Sequence, residues 1–187
     1  MAKNGHDEAS ALRRIIEITQ ALNSTLNLDE LLQLIMSSAS ELLGAETSSL
    51  LLMDEEAGDL VIHTATGASG AQVEQQRVPS GQGIAGWVLE KGEMTVVDDA
   101  SKDDRFYKAM DEASGFQTKN MLALPLKVRD KTIGVVEVIN KRDGSFSEQD
   151  QDLATALANQ AAIAIDNARL YAKLADAVVT SRMSYRL

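Results

Sequence analysis

The chain has 187 residues, of which 44% are hydrophobic, and a formal net charge of −10. This size allows one domain of ordinary dimensions with a further segment attached. The absence of cysteine excludes disulfides, thiolate metal sites and cysteine nucleophiles, and the negative charge argues against nucleic acid or anionic membranes as partners. Because the sequence has no run of eighteen apolar residues and no apolar signal core at its start, we expect a cytoplasmic protein without a membrane span.

Two helices are predicted in the N-terminal part of the chain. Apolar residues spaced three and four apart between Leu12 and Leu26 predict a helix with one apolar stripe. Asn27 then caps a second helix, whose first turn carries Asp29 and Glu30 and which Gly44 ends. The buried face of this second helix is predicted to consist of Leu28, Leu31, Leu32, Ile35, Met36, Ala39, Leu42 and Leu43.

Strand patterns follow in the middle of the chain. Ser48–Met53 and Leu60–Thr66 are predicted to pair as a hairpin, and Met94–Val97 is a brief strand. Met121–Val128 and Thr132–Ile139 predict a second hairpin across the polar turn 129–131. Together these segments predict an antiparallel sheet of about five or six strands.

The segments between the strands predict a cavity over the sheet. Gly67–Gln76 reads as a polar loop, Ile84–Glu90 as a short helix after a glycine-rich turn, and Asp104–Glu112 as a helix within the acidic excursion Asp98–Gly115. Free backbone N–H groups at a helix start can bind an anion. Two such starts would suit a planar heterocycle that carries a phosphate. The alternative is that water or side chains cap these helix starts and nothing binds.

The last helix begins with Ser147, which forms a capping box with Asp150, and no helix breaker follows. At about 1.5 Å per residue it should project beyond the domain. One apolar stripe comprises Leu153, Leu157, Gln160, Ala164, Asn167, Tyr171, Leu174 and Val178. A second stripe comprises Ala154, Ala158, Ala161, Ile165, Ala168, Ala172, Ala175 and Val179. We expect one stripe to face the sheet and the other a partner.

These elements predict an α+β fold. A central antiparallel sheet of about six strands carries helices on one face, pocket loops and short helices on the other, and a long C-terminal helix.

Catalytic chemistry is hard to build from these residues, and we expect no enzyme. His63 lies in an alternating strand, where a surface or cross-strand role is expected, and His6 lies near the N-terminus. The glycines near Gly81 lack the Lys-Ser/Thr pair of a phosphate-binding loop. Clustered carboxylates can bind a divalent metal, but an EF-hand needs a different spacing, and we expect no metal site here. The cluster consists of Asp98, Asp99, Asp103 and Asp104.

The last strand ends in Asn140 and Lys141, and Phe146 and Asp150 follow at fixed offsets. This pattern resembles the NK…F…D(E) motif of GAF domains, which are small-molecule-sensing modules of signalling proteins. Gln151 stands where the motif usually ends in Glu. Within the family, the chain is most similar to the cyclic-nucleotide-binding GAF domains of phosphodiesterases and adenylyl cyclases.

The resemblance covers roughly residues 28–172 and is densest over Gly81–Trp87, Asp104–Thr118 and Asn140–Asp150. It implies a ligand held between the sheet and two loop helices, with cAMP or cGMP as candidates and no certain cofactor. The ligand contacts that it implies are Ser49 for the base pocket, Ile84 and Ala85 near the phosphate, Tyr107 near the ribose-phosphate, Asp111, Ser114 and Thr118 for polar contacts, and Glu137 near the sugar or base.

The chain departs from that family at the end of the second strand. Ala65 and Thr66 align where the family has an aromatic residue and an acid that stack on and read the purine. A methyl group cannot stack as a ring does, a loss of about 1–3 kcal/mol, and Thr66 offers one hydroxyl. The sequence therefore predicts an intact phosphate half of the pocket and an altered base half, and leaves the choice between cAMP and cGMP open.

The motif residues are predicted to have a structural role. Lys141 and Asp150 would form a salt bridge between strand end and helix start, with Phe146 as an apolar plug and Asn140 at the strand end. The domains predicted are residues 1–26 as a dimerisation helix, 27–172 as the GAF domain and 173–187 as an extension of the last helix.

The sequence supports two alternative functions. The first is a sensory module that binds a cyclic nucleotide or a similar anionic ligand and signals to an effector protein. The alternative is a ligand-free GAF module that serves dimerisation and protein interaction. A homodimer through the terminal helices is expected in both cases, with neither nucleic acid nor membrane as partner. The missing cysteines exclude bilin attachment and the redox chemistry of GAF-fold methionine sulfoxide reductases.

Overall fold

The computed structural model describes residues 10–17 and 27–184. Residues 10–17 are helical, with Leu12 and Ile16 exposed. Arg14 in this segment forms an ion pair of 2.8 Å with Glu41. The predicted apolar stripe can be followed only over residues 10–17, because positions 18–26, which include Leu26, lie outside the described residues.

Helix α1 spans Leu28–Leu42, as the capping pattern predicts. The side-chain oxygen of Asn27 accepts hydrogen bonds from the backbone N–H groups of Asp29 and Glu30, at 3.1 and 3.3 Å. Gly44 follows the helix with a φ of 62°, a left-handed conformation that glycine adopts readily. The helix buries the predicted apolar face, except that Leu28 and Leu42 are half-buried.

A six-stranded antiparallel sheet forms the centre of the molecule and confirms the predicted α+β class. Its strands, in chain order, are β1 Ala45–Met53, β2 Leu60–Ala65, β3 Arg77–Val78, β4 Thr95–Val97, β5 Met121–Val128 and β6 Lys131–Lys141. Their order across the sheet is β3-β2-β1-β6-β5-β4. The two predicted hairpins are therefore joined through the pairing of β1 with β6.

The structure differs from the predictions in two connections. The segment expected to be a polar loop contains a short helix α2, Gly70–Val73, before the edge strand β3. The turn between β5 and β6 has two residues instead of three, because Arg129 and Asp130 both adopt positive φ angles of 50° and 64°. Such a turn matches the twist of the flanking strands and lets β6 begin at Lys131.

The helix predicted from Asp104 begins later. Helix α3 spans Gly83–Lys91 as expected, but α4 spans Lys108–Ser114. The physical reason lies at Asp103, which accepts hydrogen bonds of 2.9 Å from the backbone N–H and the Nε of Arg105. The guanidinium of Arg105 also lies over the ring of Trp87, 4.6 Å from its centroid. These contacts hold the preceding residues in a turn.

The sheet separates two apolar cores. Helices α1 and α5, the latter Glu148–Ser184, cover one face. Helix α3 and the connecting segments cover the other. Strand β6 alternates between the two, with Val136 and Val138 in the helical core and Val135 and Ile139 in the opposite one.

Helix α5 has 37 residues and a length of about 55 Å. Its capping box is formed as predicted, with the Ser147 N–H donating to Asp150 at 2.8 Å and the Asp150 N–H donating to the Ser147 hydroxyl at 3.2 Å. Members of both predicted stripes, including Leu157 and Ala158, share one core up to Ile165. The prediction that one stripe faces a partner is wrong over this part, because the helix packs against both α1 and β5 and buries a wide face.

The final part of α5 extends away from this core, since residues 171–177 are all exposed. Large apolar side chains are exposed at Ile163, Leu170, Tyr171 and Leu174. Within 10–17 and 27–184, no helix is both long and apolar enough to cross a membrane.

Candidate ligand-binding cavity

A cavity of about 420 Å³ lies between the sheet and the segments that include α2, α3 and α4. This volume falls in the range of roughly 300–1,000 Å³ typical of small-molecule sites. The ten residues predicted as ligand contacts all border it, namely Ser49, Ala65, Thr66, Ile84, Ala85, Tyr107, Asp111, Ser114, Thr118 and Glu137. Most of the remaining wall is apolar, with Phe106, Met110 and Phe116 on the side of the acidic excursion.

The start of α3 forms one side of the cavity. Gly83 has a φ of 71°, and a Cβ at this position would lie 2.9 Å from the Cβ of Tyr107. Gln82 makes no side-chain hydrogen bond that caps the helix, and the first N–H groups of any helix lack intrahelical acceptors. Ile84 and Ala85 therefore bring the positive end of the helix dipole to the cavity.

Helix α4 is held by a contact between Asp111 and Thr118. The Thr118 backbone N–H and hydroxyl donate to the two Asp111 carboxylate oxygens, at 2.6 and 2.7 Å. No residue of α4 is buried, so burial does little to hold this helix. Among the described residues, the two bonds to Thr118 are its main polar attachment. The Ser114 hydroxyl donates to the Met110 carbonyl at 2.9 Å. The hydroxyls of Ser114 and Thr118 are thus already bonded within the protein.

The wall at the end of β2 is less polar than the sequence predicts. The Thr66 hydroxyl accepts a hydrogen bond from the Ser48 backbone N–H at 2.9 Å and lies 3.1 Å from the Ser48 hydroxyl. It is therefore engaged by the protein, contrary to the expectation that it would be offered to a ligand. Behind Ala65, a Cβ on Gly70 would lie 2.7 Å from the Ala65 carbonyl oxygen, so α2 packs directly on this wall.

Glu137 is the acidic group within the sheet wall of the cavity, whereas Glu46 of β1 lies at the rim. It lies on β6 between Ser49 of β1 and Ala123 of β5, and one of its oxygens accepts a hydrogen bond of 3.3 Å from the Ser49 hydroxyl. The side chain keeps some accessible surface because it borders the cavity, yet the surrounding protein separates it from bulk water. This burial raises its pKa to about 7, opposed by the Ser49 hydrogen bond and aided by the charge of Asp111.

The motif residues lie outside the cavity lining and support the segments around it. Asn140, at a φ of 60°, donates to the Gln117 carbonyl at 2.8 Å and accepts from the Lys119 N–H at 2.7 Å. Lys141 pairs with Asp150 at 2.9 Å. The Asn140 bonds hold the segment that contains Thr118, the Lys141 pair joins the end of β6 to the start of α5, and Phe146 is buried in the helical core. The structural role of the motif stays a prediction.

Sequence reasoning missed part of the cavity rim. Arg142, with an exposed side chain, is the one basic residue among the lining residues of the described chain, and Glu46 and Thr47 lie at the same rim. Nothing in the sequence pattern singles out Arg142. By contrast, Phe106 and Phe116 are apolar residues in an acidic segment, a signal that would have identified them.

The remaining titratable candidates lie elsewhere. His63 contacts Thr64, with its Nδ1 2.9 Å from the hydroxyl, and its Nε2 is 3.5 Å from Asp29. Neither contact reaches the cavity. Because one partner is the next residue of β2 and the other lies on α1, these contacts fit a partly exposed surface position and not a cross-strand pair. In the part of the chain that the structure describes, no group of three or more His, Cys, Asp or Glu side chains could hold a metal ion.

Comparison with known proteins adds family information to this geometry. A family model described as "GAF domain" matches residues 25–166. The chain is 28% identical to a "Probable 3′,5′-cyclic phosphodiesterase" of Caenorhabditis elegans over 92% of its own length and 25% of that protein. It is 30% identical to the "Dual 3′,5′-cyclic-AMP and -GMP phosphodiesterase 11" of Drosophila melanogaster over 92% of its own length and 13% of that protein.

A solved structure shares the fold. The GAF domain of a phosphoenolpyruvate-protein phosphotransferase from Coxiella burnetii superimposes with a TM-score of 0.78 at 24% identity, covering 87% of this chain and 96% of that domain. The likeness supports the α+β architecture with its long terminal helix and carries no information on the ligand.

Proposed function

Because the chain belongs to the GAF domain family, we propose that it is a regulatory sensing module that binds a cyclic nucleotide or a similar anionic small molecule in its cavity. The observation that carries this proposal is a cavity of about 420 Å³ bordered by all ten residues that the family resemblance implies as ligand contacts. A role as a regulatory domain also fits the relatives, because the chain matches only a quarter or less of their length. Their catalytic activity is not proposed for this chain.

The polarity of the cavity supports a ligand with a phosphate at one end. The start of α3, at Ile84 and Ala85, presents backbone N–H groups to an anion. Apolar side chains such as Phe106 and Met110 would cover a flat ring, and Glu137 would meet a polar edge of that ring. Both relatives are named as cyclic-nucleotide phosphodiesterases, which makes cAMP and cGMP the first compounds to test.

The signal would travel by a shift in populations. A ligand between α3 and α4 would favour the conformation in which both helices close on the sheet, and the neighbouring β5–β6 hairpin lies against α5. A ligand can shift this equilibrium only by its difference in affinity for the two conformations. Helix α5 would then report to an effector protein in the cytoplasm.

The test of binding has two steps. Mass spectrometry of the protein purified from cells, run native and then denatured, would reveal a retained ligand and the oligomeric state together. Calorimetric titration with cAMP and cGMP would follow. Binding of either nucleotide with an affinity better than millimolar is expected, and the absence of heat or thermal stabilisation at millimolar ligand would refute the cyclic-nucleotide assignment.

A second function, dimerisation, is favoured by the exposed face of α5. Ile163, Asn167, Leu170 and Leu174 are spaced by four, three and four residues, which is the seam of a coiled coil, and all four are exposed. An Asn at one seam position is typical of two-stranded coiled coils with a fixed register. We propose a homodimer through the terminal helices, with residues 1–26 and 173–187 flanking the domain; it is compatible with ligand binding and would also serve a ligand-free module.

A further inference from the structure

Helix α4 is a thin wall with open space on both sides. The cavity of about 420 Å³ lies beneath it, and an open groove of about 410 Å³ lies along its outer side. Both spaces are bordered by Phe106, Asp111, Phe116 and Thr118. Because α4 buries none of its own residues, an outward movement of the helix would join the cavity to the groove at little cost in packing. Helix α4 is therefore the part of the cavity wall that can open.

A charged side chain holds this wall in place. Asp111 accepts the two hydrogen bonds from Thr118, at 2.6 and 2.7 Å. Strand β5 begins at Met121, so these bonds tie α4 to the segment that enters the sheet. Hydrogen bonds to an ionised carboxylate are roughly twice as strong as those between neutral groups. The closed position of α4 thus depends on a negative charge that is held at the cavity.

A second carboxyl group, that of Glu137, lies in the sheet wall of the same cavity. Among the described residues it receives one hydrogen bond, which the Ser49 hydroxyl donates at 3.3 Å. Burial, aided by the charge of Asp111 and opposed by the Ser49 hydrogen bond, raises the pKa of Glu137 to about 7. With α4 closed, the cavity therefore accommodates Glu137 better as a neutral acid than as a carboxylate.

The other elements around the cavity bring no positive charge to these two carboxyl groups. The lining residues from α2, α3, β2, β3 and β5 are uncharged, and the titratable Tyr107 precedes α4. On β1, Glu46 lies at the rim, where it accepts a hydrogen bond of 3.0 Å from Asn140. Arg142 after β6 is the one basic lining residue of the described chain, and it is exposed. Ionisation of Glu137 in the closed cavity therefore adds a second negative charge that no buried cation offsets.

We propose that α4 is a pH-dependent lid, which stays closed over the cavity while Glu137 is protonated and opens when Glu137 ionises. Opening admits water from the groove, hydrates the Glu137 carboxylate and moves Asp111 away from it. Because the closed form binds this proton more tightly than the open form, the ratio of open to closed protein should rise with pH. The rise should reach up to about tenfold per pH unit and level off above about pH 7. No ligand takes part, so the lid can be tested independently of the proposed function.

The test is amide hydrogen exchange in residues 108–114, divided at each pH by the intrinsic exchange rate, which measures the opening of α4. The full chain, Glu137→Gln and the control Glu112→Gln, whose side chain is exposed on α4, would be compared without ligand between about pH 5 and about pH 8. In the full chain and the control, corrected exchange should rise by at least about tenfold from about pH 5 to about pH 7 and then level off. Glu137→Gln, which cannot ionise, should keep the slow rate at every pH.

The carbon-13 signal of the Glu137 carboxyl in the unaltered protein supplies a readout that needs no variant. Its titration midpoint should lie near pH 7, where α4 exchange levels off, and a midpoint near the ordinary value of 4.5 would overturn the inference. Corrected exchange that is constant or falls with pH would also overturn it, as would an equal pH response in Glu137→Gln or a response that Glu112→Gln loses. Exchange of α4 as slow as that of α1 at every pH would mean that α4 opens only when the whole domain unfolds, and this result too would refute the lid.

Discussion

Lys141 joins three parts of the fold through one ammonium group. It lies 2.9 Å from Asp150 at the start of α5 and donates to the Leu43 carbonyl at 2.8 Å, and its side chain is only 16% exposed. Lys141→Ala should lower the free energy of unfolding by about 2–4 kcal/mol, because it removes the only cation paired with the largely buried Asp150 carboxylate among the described residues and leaves it with its Ser147 hydrogen bonds. Urea denaturation would measure this loss.

The matched control is Lys131→Ala. Its ion pair with Glu55, at 3.3 Å, has side chains that are 62% and 65% exposed, so its loss should cost at most about 1 kcal/mol. Ligand affinity of the folded fraction should be unchanged in both variants. A Lys141→Ala protein of normal stability that has lost its ligand affinity would contradict the structural role of the motif.

Glu137 should make the stability of the protein depend on pH. Its pKa of about 7 in the folded protein lies above the ordinary value of 4.5, so the folded state binds more protons than the unfolded state between these values. Stability from this group is therefore fully present below about pH 4.5 and is lost as pH rises to about 7, by about 3 kcal/mol in total. The stability of Glu137→Gln relative to the unaltered protein should rise over this range, as urea unfolding would show. Parallel pH curves would contradict the burial of this carboxyl.

Single residues of the site were predictable where a pattern or resemblance marked them, and not where side-chain orientation decided. The family pattern located Glu137, Asp111 and Ile84 at the cavity. It could not reveal that the Thr66 hydroxyl bonds to Ser48, because that depends on a contact between residues 18 positions apart. Arg142 carried no signal, since a basic residue after a strand is ordinary surface composition.

At the scale of elements, α4 is the least firmly attached helix at the cavity, because none of its residues is buried. Asp111→Asn keeps one acceptor oxygen but removes the charge that strengthens its bonds to Thr118. Amide hydrogen exchange in residues 108–114 should accelerate by about tenfold, corresponding to the loss of one charge-assisted bond.

The control on the same helix is Glu112→Gln, which alters an exposed side chain and should leave exchange unchanged. Equal exchange rates in α4 for Asp111→Asn and Glu112→Gln would show that other contacts hold the helix.

The starts and ends of elements were predictable where the local sequence determines them. The caps at Asn27 and Ser147 satisfy helix N–H groups within three residues, so their residue types identify the helix starts. The start of α4 was not predictable in this way. It depends on Arg105 reaching Asp103 and Trp87, the latter 18 positions earlier, and this tertiary contact overrides the helical tendency of the acidic segment.

At the scale of the whole molecule, the exposed part of α5 should pair with a second copy. Replacing both Leu170 and Leu174 with Glu places charges in the proposed seam, and sedimentation should change from the mass of two chains to that of one. Lys173→Glu, exposed on the same turn but outside the seam, should remain dimeric. A monomeric unaltered protein at high concentration would contradict the dimer.

The fold class and the two hairpins followed from the order of helical and strand patterns, since each hairpin is local. The pairing of β1 with β6, which joins the hairpins, is not local and was not predicted. The sequence did not predict which face of α5 packs against the domain. Its apolar and small residues form a face wide enough for several orientations of the helix. Packing against both α1 and β5 selects the orientation in which Leu157, Ala158 and Ile165 share a core. The exposure of Ile163 and Leu170, on which the proposed seam rests, became evident only from the structure.

The central claim is that the cavity over the sheet is a ligand site, and amide chemical-shift mapping by NMR with cyclic GMP tests it most directly. Titration should shift the signals of Ile84 and Ala85 at the start of α3 and of Glu137 on β6, while residues of α1 on the opposite face of the sheet stay unchanged. No shifts at millimolar cyclic GMP, or shifts confined to α1, would contradict the claim.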